Sequence, residues 1–287
     1  MNILIIRNSA NPAALDATMM LMTYLDSQGI SHAETETLPL SLETVSDVSD
    51  ALDVDSFDMV VSLGGDGTIL HSARLIGERG IPILGINFGH LGFLVNAADD
   101  GVIPIVAAAL AGDVVREDRT SLHVEMYDED DELVGKRFAL NELAITRGML
   151  GRIIDFDLRV AGVAVSHMRG DGLIISTATG STGYALSAGG PLVAPGFTGL
   201  VVVPLAPHTL QARPIATGPS DVVEVDMSKN PESREASLFI DGELIEPQSR
   251  VQRIIVTPSR RPTTLLRYGN NDFYESVHNT FFKKCSL

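Results

Sequence analysis

Through the first 115 positions the apolar residues follow two alternating rhythms. Asn2–Ile6 is a short run dominated by Ile and Leu, the pattern of a buried strand. Ala13–Gln28 follows with Leu15, Met19, Met22 and Leu25 at helical spacing, and Gly29 closes it. The methionines Met19, Met20 and Met22 are expected to fill core gaps rather than face a ligand. Next come a strand at Asp58–Leu63, a helix at Ile69–Glu78, a strand at Ile81–Ile86 and a helix at Gly101–Leu110. Strands and helices alternating at this length predict parallel right-handed crossovers in a doubly wound α/β sheet. Between them, Glu34–Asp55 is acidic and weakly patterned, which predicts mostly loop with a short helix.

After about Val115 the rhythm changes to strands alone. Ser121–Tyr127, Arg137–Ile145, Ile153–Val160, Gly172–Thr177, Leu200–Pro204, Val222–Met227, Ser237–Ile240 and Val251–Thr257 are all strand-like, with turn signals between them. The acidic run Asp128–Glu132 reads as a solvated hairpin tip, not a metal site. The pattern predicts a mainly antiparallel all-β domain of two packed sheets. The expected division is an α/β domain over residues 1–115 and a β-rich domain over 116–269. The tail Asp272–Phe282 has helical character.

Two glycine-rich blocks carry the chemistry. Ser62-Leu63-Gly64-Gly65-Asp66-Gly67-Thr68 joins an apolar strand to a helix. Glycines let a ligand come close to the backbone, and exposed N–H groups beside a helix N-terminus cradle phosphate. A carboxylate opposes phosphate charge, so Asp66 makes sense as a group that handles a proton. The second block runs from Arg169-Gly170-Asp171-Gly172 through Thr177-Ala178-Thr179-Gly180-Ser181-Thr182-Gly183-Tyr184 to Ser187-Ala188-Gly189-Gly190-Pro191. Its hydroxyls and single aromatic ring are equipment for holding a nucleoside rather than for building a core.

In this order Gly64–Thr68, Asn141-Glu142 and the Gly170–Pro191 block resemble the NAD kinase family, which phosphorylates NAD to NADP. Pro204–Leu210 and Ile240-Asp241-Gly242-Glu243 extend the resemblance over nearly the whole chain. It departs at Ala178, where the family usually has proline, at Gly183, where alanine is usual, and at Glu243, where glutamine is frequent. The resemblance implies that Asp66 is the base for the 2′-hydroxyl of the adenosine ribose. Gly64, Gly65, Gly67, Thr68 and His71 would form the loop for the donor phosphates and NAD. Asn141, Glu142, Arg152, Thr179, Thr182, Gly183, Tyr184, Ala185, Leu186, Ser187 and Ala206 would bind NAD, together with Asp241 and Glu243. Arg169 and Asp171 would face the nicotinamide half, and residues 270–287 would return to the first domain. His71 read without the resemblance is a half-exposed helix histidine.

The resemblance further implies ATP or polyphosphate as donor and a homodimer or homotetramer. The divalent ion, Mg²⁺, is expected to arrive on the nucleotide phosphates, since no His/Cys/Asp cluster has protein-ligand spacing. A diacylglycerol-type lipid kinase shares the first motif, as do 6-phosphofructokinases, but does not account for Asn141-Glu142 or Thr179–Tyr184. A non-catalytic NAD sensor would have no use for Asp66.

Composition narrows the partners. With 37 acidic and 21 basic residues the formal net charge is −16, which argues against nucleic acid and against a basic membrane-binding face. The single cysteine, Cys285, allows no intrachain disulfide. Met1–Asn8 lacks the basic region of a signal peptide and no apolar run is membrane-length, so a cytoplasmic protein is expected.

Overall fold

The structure, a computed structural model, describes residues 1–37, 49, 51–89, 92–209, 211–231, 234–247, 249–269 and 273–283. Most of the acidic segment 34–55, and also Leu210, Asp272 and Cys285, lie outside the described residues. The chain divides into two compact units, Met1–Asp118 with Thr263–Leu287, and Arg119–Pro262.

The first unit is built on strands β1 (Asn2–Arg7), β2 (Ser31–Glu36), β3 (Met59–Gly64), β4 (Ile83–Asn87) and β5 (Val115–Arg119). Its helices are α1 (Pro12–Ser27), α2 (Asp66–Ile76) and α3 (Val102–Ala111). The chain's last strand, β18 (Thr263–Arg267), completes a sheet of order β2-β1-β3-β4-β18-β5. β1 pairs in parallel with both β2 and β3, and β4 pairs in parallel with β3 and β18. β3 is buried at every position, as a central parallel strand covered on both faces must be. The core on one face joins Ile3, Ile5, Val61 and Leu84 of the sheet to Leu21 and Leu25 of α1 and Ile105 of α3.

Helix α1 corrects the expected packing. It buries Ala14, Ala17, Thr18, Leu21 and Leu25, whereas Met19 and Met20 are 64% and 57% exposed and Leu15 is also exposed. The buried stripe runs through Ala14, Ala17, Thr18, Leu21 and Leu25, and of the three methionines only Met22 packs against the core. Strand β2 is a second correction. Its sequence, Ser-His-Ala-Glu-Thr-Glu, carries no apolar signal, yet it holds the sheet edge, where Glu34 and Glu36 pair with Arg7.

The second unit is two six-stranded antiparallel sheets. One has the order β10 (Val163–Gly170), β9 (Ile154–Val160), β14 (Val223–Asp226), β17 (Arg253–Pro258), β6 (Leu122–Tyr127), β7 (Leu133–Ala139). The other runs β13 (Ile215–Ala216), β12 (Val201–Leu205), β11 (Gly172–Ser176), β8 (Glu142–Arg147), β15 (Ala236–Ile240), β16 (Glu243–Ile245). In the first, β6 and β9 alternate buried and partly exposed positions, as expected with one face to solvent. In the second, β11 is buried throughout because the turn and short helix α4 (Tyr184–Ser187) cover one face. There Ala185 packs with Ala144, Ile174, Val201 and Val203.

The expected single strand Arg137–Ile145 is two strands in different sheets. β7 ends at Ala139, β8 begins at Glu142, and the chain changes sheets at Leu140-Asn141. Asn141-Glu142, poor strand formers, mark the crossing, and hydrogen bonds from Asp241 and Thr177 hold it.

Candidate active site

In the first unit the glycine-rich turn ends β3 and opens α2, which starts at Asp66, three residues before the position its apolar spacing predicts. Gly65 is the N-cap and offers no side-chain cap; its carbonyl accepts from Thr68 N at 2.9 Å, and the Asp66 and Gly67 N–H groups at the open end of the turn are the ones placed for a ligand. Gly64 is required by packing: a Cβ there would lie 2.1 Å from Thr68 Oγ1. Thr68 is buried, and His71 is also buried, at 8% exposure, rather than half-exposed.

The Asp66 carboxylate is held from the far side. The Phe93 N–H donates to Oδ2 at 2.9 Å and the Leu94 N–H donates to Oδ1 at 3.0 Å. Gly92 makes this approach possible, because a Cβ there would sit 2.1 Å from Asp66 Oδ1. One donor on each oxygen fixes the carboxylate plane and leaves a lone pair on each atom to accept a proton. Neither Gly92 nor the two amides was read from the sequence. The signal was present in Gly89 and Gly92, a second pair of glycines just beyond a buried strand.

In the second unit the sheet crossing is held by Asp241. Its Oδ2 accepts from Leu140 N at 2.9 Å, and its Oδ1 accepts from Asn141 N at 2.8 Å and Glu142 N at 3.0 Å. Asp241 itself sits at φ 47°, in the left-handed region. Its carboxylate therefore positions the Asn141-Glu142 dipeptide. The second block grips the same crossing: Thr177 Oγ1 donates to Leu140 O at 2.6 Å, and Thr177 N donates to Asn141 O at 2.9 Å.

Most hydroxyls of this block build the turn, contrary to the reading of them as ligand-holding groups. Ser181 Oγ donates to Ala178 O and accepts from Val193 N, and Thr182 Oγ1 donates to Thr179 O. Thr179 is buried and its Oγ1 accepts from Arg119 Nη1 at 3.3 Å. Ala185 is a core residue, so only its backbone can reach a ligand.

Beside this turn lie two buried acceptor atoms with no hydrogen-bond partner, Asn141 Oδ1 and Glu142 Oε2. Gly183 runs past these atoms: a Cβ there would stand 3.4 Å from Glu142 Oε2, an ordinary contact distance. Burial, reinforced by the negative charge of Asp241, pushes the Glu142 carboxyl up to about 7. Next to it opens a cavity of about 610 Å³, lined by Ala144, Thr146, Arg147, Asp171, Tyr184, Leu205, Ala206, Phe239 and Gly242. Tyr184 is 45% exposed, Ala206 takes a positive φ of 40°, and Asp171 pairs with Arg147 at 3.2 Å. Arg147 and Phe239 were not among the expected site residues, since neither lies in a glycine-rich block.

Other expected residues stand apart from that cavity's lining. Arg169 pairs with Asp155 at 2.8 Å, and Arg152 lines a different hollow with Met149, Leu150 and Arg234. Leu186 is partly buried, Ser187 is exposed, and Glu243 opens β16. Among the described residues no group of three or more His, Cys, Asp or Glu could hold a metal ion.

Two family models match the chain. One is described as the ATP-NAD kinase N-terminal domain, over residues 3–114, and the other as the ATP-NAD kinase C-terminal domain, over residues 140–268. A protein named NAD kinase from Geobacter sulfurreducens is 44% identical over 218 residues, 76% of each chain. The chain belongs to the NAD kinase family. Another relative named NAD kinase, from Geobacter sp. strain M21, is 34% identical over 268 residues, 92% of each chain. Among solved structures, an NAD kinase from Archaeoglobus fulgidus in complex with ATP aligns with a TM-score of 0.73 at 27% identity. That alignment covers 97% of this chain and 98% of the other. Yeast NADH kinase complexed with NADH aligns with a TM-score of 0.83 at 22% identity, covering 100% of this chain and 89% of the other, and shows the same fold. NAD kinase membership decides against the diacylglycerol-type reading, which shares the Gly64–Thr68 motif alone. The α/β first unit and the antiparallel second unit agree with the fold expected of the NAD kinase family.

Proposed function

We propose that the protein transfers the γ-phosphoryl group of ATP, or a phosphoryl group of polyphosphate, to the 2′-hydroxyl of the adenosine ribose of NAD. Asp66 accepts the hydroxyl proton as the ribose oxygen bonds to phosphorus and the bond to the donor's leaving phosphate breaks. The products are NADP and, from ATP, ADP. The first-turn amides of α2 and the Gly64–Gly67 backbone hold donor phosphates, which suits a chain of net charge −16 with few basic groups to spare. Mg²⁺ enters as part of the nucleotide substrate, on its phosphate oxygens. We assign the protein to the cytoplasm as a homodimer or homotetramer, a state that sedimentation velocity will test. No described helix is long and apolar enough to cross a membrane.

The observation that carries the reading is the pair of buried acceptors, Asn141 Oδ1 and Glu142 Oε2, beside Gly183 and the ring of Tyr184. A buried acceptor without a donor is costly, and a nucleoside offers amino and hydroxyl donors that would satisfy both. Purified protein supplied with NAD and a panel of donors should form NADP, and failure with every donor would overturn the activity. Asn141→Ala should weaken NAD binding by about 0.5–1.5 kcal/mol while leaving the fold intact. Calorimetry showing unchanged affinity would remove Asn141 from the site.

A further inference from the structure

Of the two N–H groups that hold Asp66, the Leu94 one belongs to a peptide whose carbonyl is itself held by a side chain. Arg267, at the end of β18, is buried and donates from Nη2 to Phe93 O at 2.7 Å and from Nη1 to Leu94 O at 2.7 Å. Its Nε donates to Glu117 Oε2 on β5, which fixes the third edge of the guanidinium. The Phe93–Leu94 peptide is therefore gripped at both ends. Its carbonyl meets the guanidinium and its N–H meets Asp66 Oδ1.

The arrangement puts a positive charge at the oxygen end of a peptide dipole and a negative charge at its N–H end. Each interaction polarises the peptide in the sense that strengthens the other. The planar fork of arginine matches two adjacent carbonyls, which lysine cannot reproduce. The Phe93 ring adds an independent hold, stacking on Phe281 with centroids 6.0 Å apart and lying 6.1 Å from Phe273.

We propose that Arg267 is a positioning residue for Asp66, acting through the Phe93–Leu94 peptide, with the ring of Phe281 as a second brace on the same loop. This rests on the reading of Asp66 as the base. The Coulomb energy of a buried arginine with no role would be a liability. Here the charge is matched by Glu117 and directed at two successive carbonyls, one of which, Phe93 O, shares its peptide with the Leu94 N–H that meets Asp66.

The test is a double-mutant cycle on the purified enzyme with NAD and Mg-ATP. Arg267→Met should lower kcat by roughly 10–100-fold, the scale of a displacement of about 1 Å at a reacting group. The KM values for NAD and ATP should stay within about twofold, because the lost interaction matters only in the transition state. In an Asp66→Asn background the same change should cost less than about twofold, since there is no carboxylate left to aim. Equal losses in both backgrounds, or a rise in KM with kcat unchanged, would overturn the proposal. If Arg267→Met fails to fold, Phe281→Ala carries the cycle instead. Phe281 is 41% exposed, so its removal opens no core, and a several-fold loss of kcat confined to the Asp66 background is expected. An unchanged kcat in Phe281→Ala would then overturn the inference. Near-normal turnover in Asp66→Asn alone would instead sink the reading of Asp66 as the base.

Discussion

Asp66→Asn should lose roughly 10²–10⁴-fold in turnover, the contribution of a positioned general base. The variant has nearly the same volume but no group to receive the 2′-hydroxyl proton. NAD affinity should change little, because most of the residues assigned to NAD recognition lie on the second unit's strands and turns and the Gly64–Thr68 backbone is unchanged. The substitution also carries a structural cost. One carboxylate oxygen becomes an NH₂ facing the N–H of Phe93 or Leu94, donor against donor. That unsatisfied pair is worth about 1–3 kcal/mol of stability, so unfolding curves should accompany the kinetics. Turnover within a few-fold of wild type would show that the proton leaves by another route.

The second large effect is a pH dependence of stability centred on Glu142. Its carboxyl titrates near 7 in the folded protein against a usual value of 4.5. The folded state thus binds this proton more tightly than the unfolded state. The resulting stabilisation is complete below about pH 4.5 and is lost as pH rises through 7, amounting to about 3 kcal/mol. Glu142→Gln, neutral at every pH, should flatten this part of the stability profile and make the ligand-free protein more stable than wild type at pH 8. Urea unfolding between pH 5 and 8 would reveal it, and parallel profiles for the two proteins would count against the burial argument. Ligand donors at Oε2 favour the ionised form. Binding of NAD near pH 6.5 should therefore release protons, seen as a buffer-dependent heat in calorimetry.

The parts of this molecule that could be read from the sequence are those in which local pattern and tertiary role agree. The run from Asp58 through Thr68 is apolar, then glycine-rich, and it folds as a buried strand, a tight turn and a helix start. Asn141-Glu142 and the Thr179–Tyr184 turn are brought together as their order suggested. Other parts were hidden for distinct reasons. Val163–Gly170 is exposed at five consecutive positions, so it shows no alternation, yet it forms an edge strand. Asp241 resembles a ligand residue because its partners, three backbone amides a hundred residues away, have no side-chain signature. Thr177 and Ser181 have the composition of a binding loop but spend their hydroxyls on turn geometry. Arg267 was invisible because its meaning lies in two carbonyls that no sequence motif marks.

The position of β18 between β4 and β5 has a consequence for biosynthesis. A ribosome that has released residues 1–118 has delivered α1, α2 and α3, but the first sheet still lacks an interior member. The gap closes only after the whole 119–262 stretch has emerged, so the earlier-made segment must wait, edges open, while the second unit is synthesised. The same late strand brings the guanidinium beneath the Asp66 loop. Nascent chains would thus bring this guanidinium to the Asp66 loop only after the whole second unit has been made, and products that stop before β18 would be prone to sticking at the open sheet edges.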